Sequence, residues 1–132
     1  MLTIWLKTYP LTLLTTLAIV LLSVLPFPDV PVVMEIPLAD KWVHFVMYGG
    51  LSLVCWFEMA RAERKTKKRR ATQGLLFWGC ICPALLGGVL ELVQAYCTTT
   101  RSGDVWDFIA DSIGAVLGTL LGCLVRKYMV RS

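Results

Sequence analysis

The sequence predicts an all-α membrane protein: four transmembrane helices in a compact bundle, with both termini on the cytoplasmic side. Three observations carry that prediction. The chain has 132 residues, 57% hydrophobic and 17% charged, with a mean hydropathy of +0.68, which is far from the balance of a soluble domain. Apolar runs cover residues 9–25, 41–60, 74–97 and 105–125, each near the ~17 to 25 residues that a bilayer demands of a helix. Finally, 11 of the 13 Lys and Arg residues fall on one side of those spans: Lys7, the run Arg61, Arg64, Lys65, Lys67, Lys68, Arg69 and Arg70, and Arg126, Lys127 and Arg131. The positive-inside rule assigns that side to the cytoplasm. Little chain is left over, so residues 1–132 are expected to form a single transmembrane domain.

The first span follows Lys7 and could pass for a secretory signal. No small-residue cleavage pattern follows Leu25, where the chain reads Pro26-Phe27-Pro28-Asp29-Val30-Pro31, so an uncleaved scaffolding helix is expected. Four prolines, at 26, 28, 31 and 37, exclude a regular helix from the outer loop over residues 26–39. Its valines suggest an extended segment capping the bundle.

The second span opens with Asp40, where a carboxylate can accept the free amides of a helix N-terminus. Asp40, His44 and Tyr48 recur every four residues and share one face. The basic run over residues 61–70 reads as a topology signal between spans rather than a nucleic-acid site. In the third span Pro83 interrupts the pattern, and Glu91 and Gln94, three apart, share a face near the outer end. Asp104, Asp107 and Asp111 form one stripe of the fourth span, which continues as Gly114, Gly118 and Gly122. That face should meet other helices rather than lipid. The five cysteines are odd in number, and those other than Cys97 lie inside apolar runs, so they read as buried small hydrophobes.

Asp40, Lys41, His44, Tyr48, Glu91, Gln94, Arg101, Asp104, Asp107 and Asp111 therefore all fall in the outer half of the bundle. An unpaired charge at membrane depth costs several kcal/mol, so ionisable groups gathered there point to a functional site. His44, Glu91, Arg101 and Asp107 are expected to converge in one pocket open to the outer leaflet.

The order Asp40-Lys41-x-x-His44-x-x-x-Tyr48, then Glu91-x-x-Gln94, then Arg101 with Asp107, Asp111, Gly114 and Gly118 resembles the VanZ-like family of small bacterial membrane proteins, over about residues 38–122. One departure is Asp111, where the family often has Asn. The resemblance implies a helical membrane protein whose namesake is tied to resistance to a teicoplanin-type glycopeptide, and a relationship to enzymes that handle lipid head groups.

Two readings of the site stay open. In the first, an enzyme, a hydrolase or transferase, processes a lipid or lipid-linked glycan head group. His44 is then the acid/base or nucleophile, Asp107 or Glu91 orients its ring, and Arg101 and Lys41 hold a phosphate. Asp40, Tyr48, Gln94, Asp104 and Asp111 complete the head-group site. In the second, the same pocket binds a head group or antibiotic without chemistry. A proton or ion conduit fits less well, because the acidic stripe of span four turns to glycine toward the inner side. No cofactor is expected, and a divalent metal on His44 and the carboxylates stays open as a weak signal, since one histidine with dispersed acids is a poor ligand set. The expected partners are the bilayer and one of its lipids, with no nucleic acid, and the expected location is the bacterial cytoplasmic membrane.

Overall fold

Pro10 shapes the N-terminal region. It has no amide proton to give, so the helix Leu2–Thr8 (α1) stops at Tyr9 and a second helix, Pro10–Val24 (α2), starts at an angle of 95° to it. The computed structural model describes residues 1–26, 37–99 and 102–131. Within these, the remaining elements are α3 (Ala39–Thr66), α4 (Thr72–Cys97) and α5 (Val105–Arg131), with no strand among the described residues. The expected span over residues 9–25 coincides with α2 to within one residue at each end, and the bend lies at its N-terminal edge. α2 has 15 residues, about 22 Å at the helical rise, against a hydrocarbon core of about 30 Å. α3, α4 and α5 are each long and apolar enough to cross a membrane, and a fourth crossing requires α1 and α2 to count as one span. The proline-rich outer loop lies mostly outside the described residues.

α2 is anchored from another helix. Its first amides need acceptors, and the fully buried Glu58 of α3 supplies both carboxylate oxygens, to Leu11 N at 3.0 Å and Thr12 N at 2.9 Å. At the far end Gln94 Nε2 donates to Ser23 O at 2.8 Å. Trp5 packs on Tyr9 and Trp78, which folds α1 back against α4.

α3 and α5 form the most extensive contact. Glycines make it close: a Cβ on Gly114 would stand 2.3 Å from Phe45 O, one on Gly118 2.2 Å from Gly49 O, and one on Gly122 2.3 Å from the Trp56 side chain. The glycine stripe therefore faces α3, as its spacing predicts.

α4 passes through a π turn at Phe77–Ile81 rather than breaking at Pro83. Pro83 cannot give Gly79 O its fourth-residue hydrogen bond, and the hydroxyl of Thr119 on α5 donates to that carbonyl instead, at 3.1 Å. Trp56 Nε1 completes the relay with a 3.3 Å bond to Thr119 Oγ1.

The basic run is mostly helical. α3 extends to Thr66 and carries Arg61, Arg64 and Lys65, the last two in its final turn where cations suit the helix dipole. It ends at Lys67 in the left-handed region, φ 55°. Glu63, also buried, takes a two-pronged bond from Arg126 (2.8 and 3.0 Å) and the Arg70 amide at 2.6 Å, tying α3, the turn and α5 together. The cysteine expectation holds for Cys55 alone, which is buried. Cys80 and Cys82 are half-buried and Cys123 exposed, because the helices are single-layered and turn one side outward.

Candidate functional site

The close α3–α5 contact brings the first turns of both helices together, and the outer end of α4 closes the third side. His44 on α3 lies at the centre. Its Nδ1 is 2.9 Å from Asp111 Oδ1 and 3.8 Å from Glu91 Oε1, and its Nε2 is 3.7 Å from Asp107 Oδ2. Only the Asp111 contact is within hydrogen-bond reach. The ring is therefore oriented by Asp111, and not by Asp107 or Glu91 as the sequence expects. Tyr48, one turn below and buried, stacks parallel to the imidazole with centroids 6.4 Å apart.

Lys41 forms the rim. Its Nζ donates hydrogen bonds to Asp40 Oδ2 at 2.8 Å and Asp104 Oδ2 at 2.9 Å and forms an ion pair with Asp107 Oδ1 at 2.7 Å, so one ammonium is shared among three carboxylates. Asp40 thus pairs with Lys41, and α3 has no side-chain cap at its N-terminus. Side-chain exposure falls from 64% at Asp40 through 22% at Lys41 to none at Asp111, so the cluster opens at the Asp40 end and closes toward the membrane interior. The Lys41 ammonium and the Trp106 amide hold the exposed Asp104 carboxyl below the usual carboxylate range.

Two glycines allow the walls to meet. A Cβ on Gly87 would lie 2.6 Å from Asp111 Oδ2, so only a bare backbone leaves that carboxylate room beside α4. A Cβ on Gly103 would lie 2.4 Å from Glu91 O, and the close approach lets the Asp104 amide donate to Glu91 Oε2 at 2.7 Å. Their only sequence signals are positions one turn before Glu91 and directly before Asp104.

The structure thus assembles Asp40, Lys41, His44, Tyr48, Glu91, Asp104, Asp107 and Asp111. Gln94 is turned to Ser23 instead, where it holds α2. Arg101 lies outside the described residues. One ligand atom from each of His44, Glu91 and Asp107 lies within 4.8 Å of the other two, a grouping able to hold a metal ion. An apolar cavity of about 570 Å³ between α1, α2, α3 and α4, lined by residues such as Trp5, Leu13, Leu51, Met59 and Trp78, contains no member of the His44 cluster.

Three long apolar helices around a buried histidine and carboxylate cluster that opens at one end define a multi-pass membrane protein with an intramembrane polar site. The chain belongs to the VanZ/LLP1 family, whose model matches residues 2–126 and so takes in α1 and α2 as well as the polar segments. It is similar to an uncharacterized protein of the fission yeast Schizosaccharomyces pombe, 32% identical over 111 residues, which are 83% of this chain and 62% of the yeast protein. The chain thus spans less than two-thirds of that relative's length. No solved structure matches it.

Proposed function

We propose that the protein acts on the head group of a membrane lipid or lipid-linked glycan, which enters the His44 cluster from the end where Asp40 and Asp104 are exposed. The observation that carries this reading is His44 itself, the single histidine of the chain, bonded at 2.9 Å to a fully buried carboxylate at membrane depth. Burial of that pair is costly, and ionisable groups at membrane depth argue for use. The imidazole exchanges a proton near neutral pH, Asp111 fixes its orientation, and Asp107 and Glu91 stand close enough to act on a group bound beside it. The reaction class is hydrolysis or transfer of the head group. The charge distribution supports an outward-facing opening, and on this reading the head group is drawn from the outer leaflet of a bacterial cytoplasmic membrane. Altered head groups there offer a route to tolerance of teicoplanin-type glycopeptides.

The test is turnover by the full chain reconstituted in a lipid extract, with products read by mass spectrometry. The expected result is a head-group product from the wild type and a loss of about 100-fold or more in His44→Gln, the scale of acid–base assistance. Unaltered lipids, with equal retention of a bound lipid by wild type and variant, would overturn the reading. A second reading, binding without chemistry, is favoured by one observation: Asp107 and Glu91 stand 3.7 and 3.8 Å from the imidazole, outside hydrogen-bond reach, so neither assists it directly. It predicts an unaltered lipid whose retention depends on His44.

A further inference from the structure

The His44 cluster holds more negative charge than its own cations balance. Asp40, Glu91, Asp104, Asp107 and Asp111 stand against Lys41 and His44, and Lys41 is spent on three of those carboxylates. An anionic head group would meet repulsion from that rim. A phosphate needs a free cation, and among the described residues of the cluster none is left.

The geometry around the imidazole supplies a place for one. An ionised Asp111 only accepts, so His44 Nδ1 carries the proton of the 2.9 Å bond and the Nε2 lone pair is directed at Asp107 Oδ2. The 3.7 Å between those atoms is too wide for a hydrogen bond, yet it suits a single ion bonded to both at about 2.1 Å. Glu91 completes the group: its Oε2 is fixed by the Asp104 amide, its Oε1 is 3.8 Å from Nδ1, and one ligand atom from each of His44, Glu91 and Asp107 lies within 4.8 Å of the other two. A histidine that gives its second nitrogen to a buried carboxylate is the usual support of a metal-bound imidazole. Asp111 is fully buried, and its other oxygen has no hydrogen-bond partner among the described residues, so its contact with the imidazole is the one polar bond that holds it in place.

We propose that His44, Glu91 and Asp107 bind one divalent transition cation of the Zn²⁺ or Mn²⁺ class, with Asp111 as the positioning residue. The imidazole selects such an ion over Ca²⁺ or Mg²⁺, which take oxygen ligands. Three protein ligands leave coordination positions for an anionic head group. This deepens the reading above and rests on it for the head group, though not for the ion. His44 would then act as a ligand in place of the acid/base role given to it above, and the ion would supply Lewis-acid polarisation of the bound head group.

The test uses the full chain in detergent with its five cysteines replaced by Ala or Ser, so that thiols contribute nothing. After chelator treatment it is titrated with Zn²⁺, Mn²⁺, Mg²⁺ and Ca²⁺ by calorimetry, and the Mn²⁺-loaded protein is examined by electron spin-echo spectroscopy. The expected result is one Zn²⁺ or Mn²⁺ per chain, much weaker Mg²⁺ and Ca²⁺, and one imidazole nitrogen coupled to Mn²⁺. Asp111→Asn should weaken the ion about 10- to 100-fold, and His44→Gln more. The coupled nitrogen is read on the native site and does not depend on either variant folding. No stoichiometric ion, or an ion without that nitrogen, overturns the proposal. Turnover that persists in chelator overturns the ion's part in the reaction while leaving the head-group reading intact.

Discussion

Asp111 sits between a histidine and a glycine, and both neighbours are needed for it to be where it is. Its Oδ1 takes the imidazole proton and its Oδ2 occupies the space that a Cβ on Gly87 would fill, at 2.6 Å. Gly87→Ala should therefore push the carboxylate off His44 and cost about 1 to 3 kcal/mol, the range of overpacked interiors. Thermal unfolding in detergent checks the cost, and a His44 imidazole resonance that moves as in Asp111→Asn checks its cause. An unmoved resonance would mean that α4 yields instead. The same scale separates what the sequence discloses from what it hides. His44, Asp107 and Asp111 can be read because their intervals of three and four put them on facing stripes. Gln94 misleads, since its partner is a backbone carbonyl of Ser23, and any residue offers one of those. Glu58 escapes notice for the same reason: its partners are the amides of Leu11 and Thr12, some 46 positions away, and no side-chain pattern records them.

Helix α4 carries a defect that α5 repairs. Pro83 removes the donor for Gly79 O, the chain widens into a π turn, and Thr119 takes the carbonyl while accepting from Trp56. Thr119→Val keeps the volume of the side chain but leaves two polar groups without their partner. It should lower stability by about 1 kcal/mol, in line with interhelical hydrogen bonds in membranes. Denaturation in mixed micelles measures that loss, and a variant as stable as the wild type would show that the π turn holds without α5. The proline alone predicts an interruption. That the helix survives it depends on a threonine of another helix, which helical periodicity does not reveal. The glycine stripe of α5 is the opposite case, because small residues at every fourth position specify a close neighbour whatever that neighbour is. At the first span, hydropathy marks α2 but not the helix folded before it, because the backbone bends by 95° at Tyr9 and Pro10.

Across the molecule, polar groups gather at two ends of α3. His44 and Glu63 are 19 residues apart, about 29 Å along a helix, so the acidic cluster and the Glu63–Arg126 tie lie near opposite membrane surfaces. The positive-inside rule predicts the Glu63 end on the cytoplasmic side. In a cysteine-free background, a single cysteine at Thr66 should resist an impermeant reagent added to intact cells, while one at Thr99 should react. The reverse pattern would move the His44 site to the cytoplasmic leaflet. Composition and apolar run length are enough to read three long helices, because the bilayer sets those lengths. They do not set the N-terminal crossing, which depends on whether two bent helices share one passage.

The account's central claim is that a lipid head group sits against the imidazole of His44. The chain has one histidine, so a protein labelled with isotopic nitrogen in histidine alone reports on that site and no other. Solid-state dipolar recoupling between that nitrogen and the phosphorus of phospholipids, measured on the full chain in native lipid, tests the contact directly. The account predicts dephasing of the His44 signal by lipid phosphorus, abolished when a short-chain competitor head group lacking phosphorus displaces the lipid. A His44 signal untouched by phosphorus in every lipid mixture, with the Asp111 hydrogen bond intact, would contradict it.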